Sequence, residues 1–316
     1  MSSHDVTIIG SGSWGRALAH TLSTNNKKIL IHSRNLKHQF KDQNIKSTSD
    51  ILEVLSFNKP IIIATPVNSL NEIGNKIKES NYQGSIILAC KGIDSELGLF
   101  PSEIISKYID IKKIAIISGP SFAEEVIKNK PTAVTLAAID NTILNDLANI
   151  FRSKFFRVYT SNDIIGCQLG GAMKNILSVA IGISDGLNLG PNAKAALITR
   201  GILEIRTLGE ILKCNENTIY GLSGLGDLVL TSNDDLSRNR RFGLEIANGL
   251  STKEAEKKIG NIVEGIYASK GLKILTKKYS LKLPICSKVF DIISEKITPK
   301  EAVNDLLIRE QKKEFV

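Results

Sequence analysis

Cysteine is scarce. The four present (Cys90, Cys167, Cys214 and Cys286) stand far apart, with no CxxC pair and no neighbouring His–Cys cluster. That argues against a disulfide framework and against a metal site, and it fits a reducing compartment, the cytoplasm. No uninterrupted apolar run approaches the ~18 residues of a membrane span. The opening MSSHDVTIIG lacks the basic head and long apolar core of a signal peptide and reads as a strand entering a turn. A basic tail and an aromatic–basic ladder are also missing. The formal net charge is +9, yet lysines and arginines are interleaved with acids, which describes a solvated surface better than a nucleic-acid partner.

What is there is ordinary for a soluble globular chain: 316 residues, 42% hydrophobic and 23% charged. That length favours two domains over one. Val6 to Ile9 is a short apolar run, followed by Gly10-Ser11-Gly12-Ser13-Trp14-Gly15 and a helix from about Arg16 to Asn25. Strand, GxGxxG, helix is a dinucleotide fingerprint. Gly10 permits the tight turn, Gly12 lets backbone approach a pyrophosphate at the helix N-terminus, and Gly15 lets helix and strand pack closely.

The second strand, Lys28 to His32, ends in Ser33-Arg34. An NAD site places an acid there for the ribose 2′-hydroxyl, whereas an arginine suits a 2′-phosphate. The expected cofactor is therefore NADP in preference to NAD, although Arg34 also reads as a solvated loop residue. Further strands follow at Pro60 to Thr65, Ser85 to Ala89, Ile114 to Ser118 and Thr132 to Ala138, with a helix over Asn68 to Lys78. Strands alternating with helices predict a parallel sheet covered on both faces. The Ala64-Thr65-Pro66, Lys91 and Gly119-to-Ser121 stretches fall at strand C-terminal ends, where such sheets bind ligands.

After Tyr159 strand signals fade, and helices are expected at about 163–186, 193–213, 237–248, 252–259, 263–279 and 299–309. The predicted fold is α/β: a Rossmann-type doubly wound, mainly parallel sheet over 1–161, then an all-helical C-terminal domain over 162–316. The first of the later helices, within GCQLGGAMKNILSVAIGISDGLNLG, is apolar at three- and four-residue spacing but carries Lys174 and Asn175. A lysine there either snorkels to water or is paired or functional, because an unpaired buried ammonium is costly. Gly221 to Thr231 reads as a Gly-rich turn with one acid, Asp227. Ser237 is a good N-cap for SRNRRFG. Arg238, Arg240 and Arg241 crowd that helix start, which suits an anion or a solvated basic face.

Taken in order, GSGSWGRALA, SGPSFAEEV, QLGGAMKN, ISDGLNLGPNAKAALITRG, GLGDLVLT, LSRNRRFG and IVEG closely resemble bacterial NAD(P)-dependent glycerol-3-phosphate dehydrogenase, from about Val6 to Leu307. The resemblance implies interconversion of dihydroxyacetone phosphate and sn-glycerol 3-phosphate for phospholipid synthesis, and a homodimer. It implies Lys174 as the catalytic acid/base. Ser13, Trp14, Arg34, Lys91, Ala123, Arg238, Ile262 and Glu264 would contact the cofactor. Lys91, Gly119, Ser121, Lys174, Asp227, Ser237, Arg238 and Asn239 would surround the substrate. For its role Lys174 needs a pKa brought toward neutrality by burial and by nearby cations such as Lys91. A 3-hydroxyacid or phosphogluconate-type dehydrogenase also carries a GGAMKN-like helix, but GLGDLVLT and LSRNRRFG favour glycerol phosphate. Retained Lys174, Asp227 and Arg238 argue against a catalytically silent NADP sensor. One departure stands out: the segment between Arg34 and Pro60 is shorter than the family's, near the adenine end of the crevice.

Overall fold

The computed structural model describes residues 4–35 and 40–310; Leu36 to Gln39, within the shortened segment, lie outside them. The strands are β1 (Val6–Ile9), β2 (Ile29–His32), β3 (Ile45–Thr48), β4 (Ile61–Ile63), β5 (Ile86–Leu88), β6 (Ile114–Ser118), β7 (Thr132–Ala138) and β8 (Phe156–Ser161). They form one eight-stranded sheet in the order β3-β2-β1-β4-β5-β6-β7-β8. Every neighbouring pair is parallel except β6 and β7, which run antiparallel with Ser118 opposite Thr135. The order reverses at β1, between β2 and β4, which creates the crevice where doubly wound sheets take nucleotides.

Helices α1 (Ser13–Thr24), α2 (Ile51–Ser56), α3 (Leu70–Glu79), α4 (Pro101–Ile105), α5 (Ala123–Ile127) and α6 (Asn141–Phe151) accompany the sheet. Side chains alternate across each strand. Ile8, Ile31, Ile62 and Ile87 face one buried cluster with Leu18 and Leu22 of α1 and Leu147 of α6. Leu30, Ile63, Ile86 and Ile116 face the other, with Val54 of α2 and Ile73 of α3. Helix α1 begins at Ser13, three residues before the expected Arg16, because Gly12 itself is the extended N-cap.

The second part is helical: α7 (Ile164–Gly186), α8 (Gly190–Ile211), α9 (Glu216–Tyr220), α10 (Asp227–Asn233), α11 (Arg238–Ala247), α12 (Thr252–Ile259), α13 (Glu264–Lys278), α14 (Pro284–Ile293) and α15 (Pro299–Leu307). A π turn over Leu222–Gly226 leads into α10, so the stretch read as a Gly-rich turn is mostly helical. Two residues separate the end of the sheet from helix α7, with Asp163 accepting the Gly166 N–H as its N-cap. It is long and apolar enough to cross a membrane by length and composition, but 89% of that apolar window is buried in the fold. Its N-terminal Ile164 and Cys167 join the sheet's core, and its remainder is the axis of a second core with Ile205, Phe242 and Leu272.

Glycine sets how closely α11 approaches α7. A methyl group at Gly182 would lie 2.0 Å from the carbonyl oxygen of Arg240, and one at Gly243 would lie 2.3 Å from that of Val179. Backbone meets backbone there, and neither contact can be relieved by rotating a side chain. Gly182→Ala is therefore expected to cost about 1–3 kcal/mol through overpacking. Urea unfolding measures it; a loss below about 0.5 kcal/mol, the range of neutral surface changes, would show that the two helices part freely.

Candidate active site

The crevice begins at the turn after β1. Gly10 has φ +109°, and a methyl group on it would sit 2.7 Å from the Ala64 carbonyl oxygen. One on Gly15 would sit 1.9 Å from the Gly10 carbonyl oxygen. At Gly12 the same construction meets nothing within 4 Å. Two glycines are thus needed for close packing, and the third leaves open space above α1. The first turn of α1 has no side-chain cap and no acidic residue, so its N–H groups and dipole face that space, as a pyrophosphate requires. The buried Trp14 indole nitrogen has no hydrogen-bond partner. These features fit a dinucleotide.

Ser13 is exposed at the start of α1, and Ala123 is half-buried at the start of α5, packed against the same buried cluster as Trp14 and Ala64. Arg34 is exposed just beyond β2. Before it, where an NAD site would carry an acid, the Ser33 hydroxyl accepts from Ser11 at 2.6 Å and donates to the Asn35 carbonyl.

Deeper in the crevice, the sheet and the helical part supply one charged cluster. Lys91, on the loop after β5, reaches Asp227 at the start of α10 at 2.6 Å and donates to the Gly119 carbonyl at 2.9 Å. Lys174, midway along α7, meets the other oxygen of Asp227 at 3.2 Å and donates to Thr231 at 3.0 Å. Asp227 is 2% exposed and Lys174 11%, so the ammonium does not snorkel into open water. Burial lowers the Lys174 pKa to about 8; Lys91 and Arg238 push the same way while Asp227 opposes them. Burial works against charge on Asp227 as well, yet Lys174 and Lys91 hold its carboxyl below the usual range.

Ser121 lies beside the same cluster, its hydroxyl donating to the Gly119 carbonyl at 3.0 Å. Gly119 has φ +141°, and a methyl group there would be 3.0 Å from the Val134 backbone. Ser237 caps α11 as expected, accepting the Arg240 N–H. Of the three clustered arginines, Arg240 is held by Asp185 and Asp235; Arg238 is exposed in the first turn. Asn239 turns inward and is 8% exposed. Across the cleft Glu264 opens α13, close to Gly92, and burial pushes its carboxyl up to about 7 against the pull of Arg238. Ile262, just before it, is 42% exposed.

Two participants have no role in the sequence reading, although Asn175 stands out there beside Lys174. Thr231 shares a face of α10 with Asp227, one turn on, and that spacing was its only signal. Asn175, adjacent to Lys174, donates to the Lys91 carbonyl and accepts from Asn239.

A glycine-lined nucleotide turn, a strand-end crevice and a buried lysine tuned by an acid define a nicotinamide-dependent oxidoreductase. The comparisons make this specific. Residues 5–42 and 31–144 match the N-terminus, and residues 163–304 the C-terminus, of NAD-dependent glycerol-3-phosphate dehydrogenase. The chain is 42% identical to the glycerol-3-phosphate dehydrogenase (NAD(P)+) of Ruthia magnifica subsp. Calyptogena magnifica, over 99% of this chain and 100% of that one. It is 38% identical to that of Halothermothrix orenii, over 98% and 96%. The crystal structure of glycerol-3-phosphate dehydrogenase from Coxiella burnetii superposes with a TM-score of 0.91 at 36% identity, covering 97% of this chain and 99% of that one. The chain belongs to the NAD-dependent glycerol-3-phosphate dehydrogenase family.

Proposed function

We propose that this protein reversibly reduces dihydroxyacetone phosphate to sn-glycerol 3-phosphate with NADPH or NADH. The observation that carries this reading is the Lys91–Asp227–Lys174 cluster lying between a dinucleotide turn and the capped start of α11. Gly10, Gly12, Gly15, Ser13, Trp14, Ala123 and Arg34 would hold the dinucleotide, with Ile262 and Glu264 at the start of α13. A bound nicotinamide supplies the hydride, which protein side chains cannot. Lys174 gives its proton to the oxygen at C2 of the ketone and takes it back in the reverse direction. Asp227 and Thr231 aim its amine. Lys91 supplies a second cation beside that oxygen, framed by Gly119 and Ser121. Ser237, Arg238 and Asn239 receive the phosphate at the first turn of α11. The two units divide at Ser161–Asn162, so the substrate lies between them. The assembly we propose is a homodimer in the cytoplasm: the resemblance to the family implies the first, and the scarce, widely spaced cysteines fit the second. The direct test is whether NADPH or NADH absorbance falls when dihydroxyacetone phosphate is added; no fall with either refutes the reading.

Reduction requires the charged form of Lys174, and oxidation the neutral amine. With the Lys174 pKa near 8, kcat/KM for reduction falls as pH rises through about 8, and kcat/KM for oxidation rises over the same interval. Lys174→Ala should lower turnover by about 10² to 10⁴ and leave cofactor affinity in place. A variant retaining more than about a tenth of wild-type kcat, well outside that range, refutes the assignment.

Arg238→Ala should raise KM for dihydroxyacetone phosphate roughly ten- to a hundredfold, the loss of one charge-assisted hydrogen bond. The effect should vanish with unphosphorylated dihydroxyacetone; equal damage to both substrates would make Arg238 a structural residue. The cofactor preferred is NADPH, through Arg34. The measurement is kcat/KM for both cofactors in wild type and Arg34→Ala: only NADPH should suffer, and equal wild-type values remove the preference.

A further inference from the structure

Behind the charged cluster runs a line of hydrogen bonds that touches none of the reacting groups' charged atoms. The N–H of Gly265, in the first turn of α13, donates to Oδ1 of Asn239 on α11 at 2.9 Å. Nδ2 of Asn239 donates to Oδ1 of Asn175 on α7 at 2.8 Å. Nδ2 of Asn175 donates to the carbonyl of Lys91 at 3.2 Å. Both asparagines are buried, at 3% and 8% exposure. The last position has to be glycine, since a methyl group at Gly265 would lie 2.8 Å from the Asn175 carbonyl oxygen.

The direction of this line is fixed at both ends. A backbone N–H can only donate and a carbonyl can only accept, so one orientation of the two amides satisfies every link. The line ties together α13, α11, α7 and the loop after β5. It fastens Lys91 by its main chain, while Asp227 and the Gly119 carbonyl fasten the same residue by its ammonium. Lys91 belongs to the sheet and Asp227 to the helical part, so a side chain as long as lysine reaches its partner reproducibly only if its backbone is also held.

We propose that Asn175 is a positioning residue for Lys91, the central link of a one-way hydrogen-bond relay from Gly265 through Asn239 that sets the Lys91 ammonium in register with Lys174. The proposal rests on the functional reading above, in which Lys91 acts on the substrate. A residue working through Lys91 should lose its effect when the Lys91 amine is gone; a residue that merely supports the fold should not.

The experiment is a double-mutant cycle of Asn175→Ala with Lys91→Ala, measured as kcat/KM for dihydroxyacetone phosphate, with wild type alongside. Asn175→Ala alone should lower kcat/KM about ten- to a hundredfold, the effect of an unmade buried hydrogen bond. In the Lys91→Ala background it should add less than about threefold, because coupled sites are not additive. Asn175→Leu is the second probe, for use in the same cycle should Asn175→Ala not fold. It fills the volume of the amide but neither accepts from Asn239 nor donates to the Lys91 carbonyl. It too should depend on Lys91. Equal fold-losses with and without the Lys91 amine, or Asn175→Ala within about twofold of wild type, overturn the relay while leaving the functional reading intact. A wild type that oxidises neither NADPH nor NADH overturns that reading, and the relay with it.

Discussion

One buried carboxylate between two ammonium groups holds this site together. Asp227 is almost wholly removed from water and meets Lys91 on one oxygen and Lys174 on the other. Alone in that position each of the three charges would be expensive, and removing one would strand the others. Together they make a cluster with an excess positive charge whose members arrive on three separate elements. The loop after β5 brings Lys91, α7 brings Lys174 and α10 brings Asp227. The cluster therefore forms only when the sheet and the helical part are docked, and α7, which shares both their cores, does the docking.

Close backbone approach makes the cluster geometrically possible. A methyl group at Gly170 would lie 2.4 Å from the Ser223 carbonyl oxygen, and one at Gly224 would lie 2.0 Å from that of Ile219. The π turn that aims Asp227 inward thus rests directly on the helix carrying Lys174. The glycines of GLSGLG suggest a loose turn when read locally. In the fold they are contact points, and the chain around them is helical.

The same distinction between local and distant causes separates what was legible in the sequence from what was not. The strands read correctly, β1, β2, β4, β5, β6 and β7, lie inside the sheet and are apolar almost throughout because both faces are covered. The two that were missed, β3 and β8, are the sheet's edges. Their sequences, IKST and FRVYTS, are half polar because they are partly exposed. Helix α14 was missed for a related reason. Pro284 at its first turn resembles a break, and its N-terminal N–H groups of Ile285 and Cys286 are accepted by Glu204, about eighty residues earlier on α8, rather than by a local cap. The glycine turn and the Ser237 cap have a strong local signature and are legible directly, whereas the helix alone leaves Lys174 open between a snorkelling and a paired lysine. Thr231 and Asn175 are not legible, since a threonine on a helix and an asparagine beside a lysine acquire meaning only from what faces them.

The electrostatics of the crevice are also independent of the molecule's overall charge. The +9 excess is spread over the chain, and exposed charges more than about 10 Å apart are largely screened at 0.1 M salt. Inside the crevice Lys91 and Lys174 face Asp227, with Arg238 exposed near Lys174 and Glu264, while Glu264 is driven by burial to a pKa of about 7 and carries only part of a charge near neutrality. The balance there is positive, and the low dielectric of the surroundings amplifies it. On the proposed function a phosphorylated ketone would meet that field twice, at its phosphate and at the oxygen that gains charge on reduction. Only the second interaction strengthens in the transition state, so it accelerates the reaction, whereas the first chiefly holds the substrate in place. The depressed pKa of Lys174 has burial as its main cause; Lys91 and Arg238 add to it and Asp227 opposes them, so the site's removal from water is what makes the lysine readier to give up its proton.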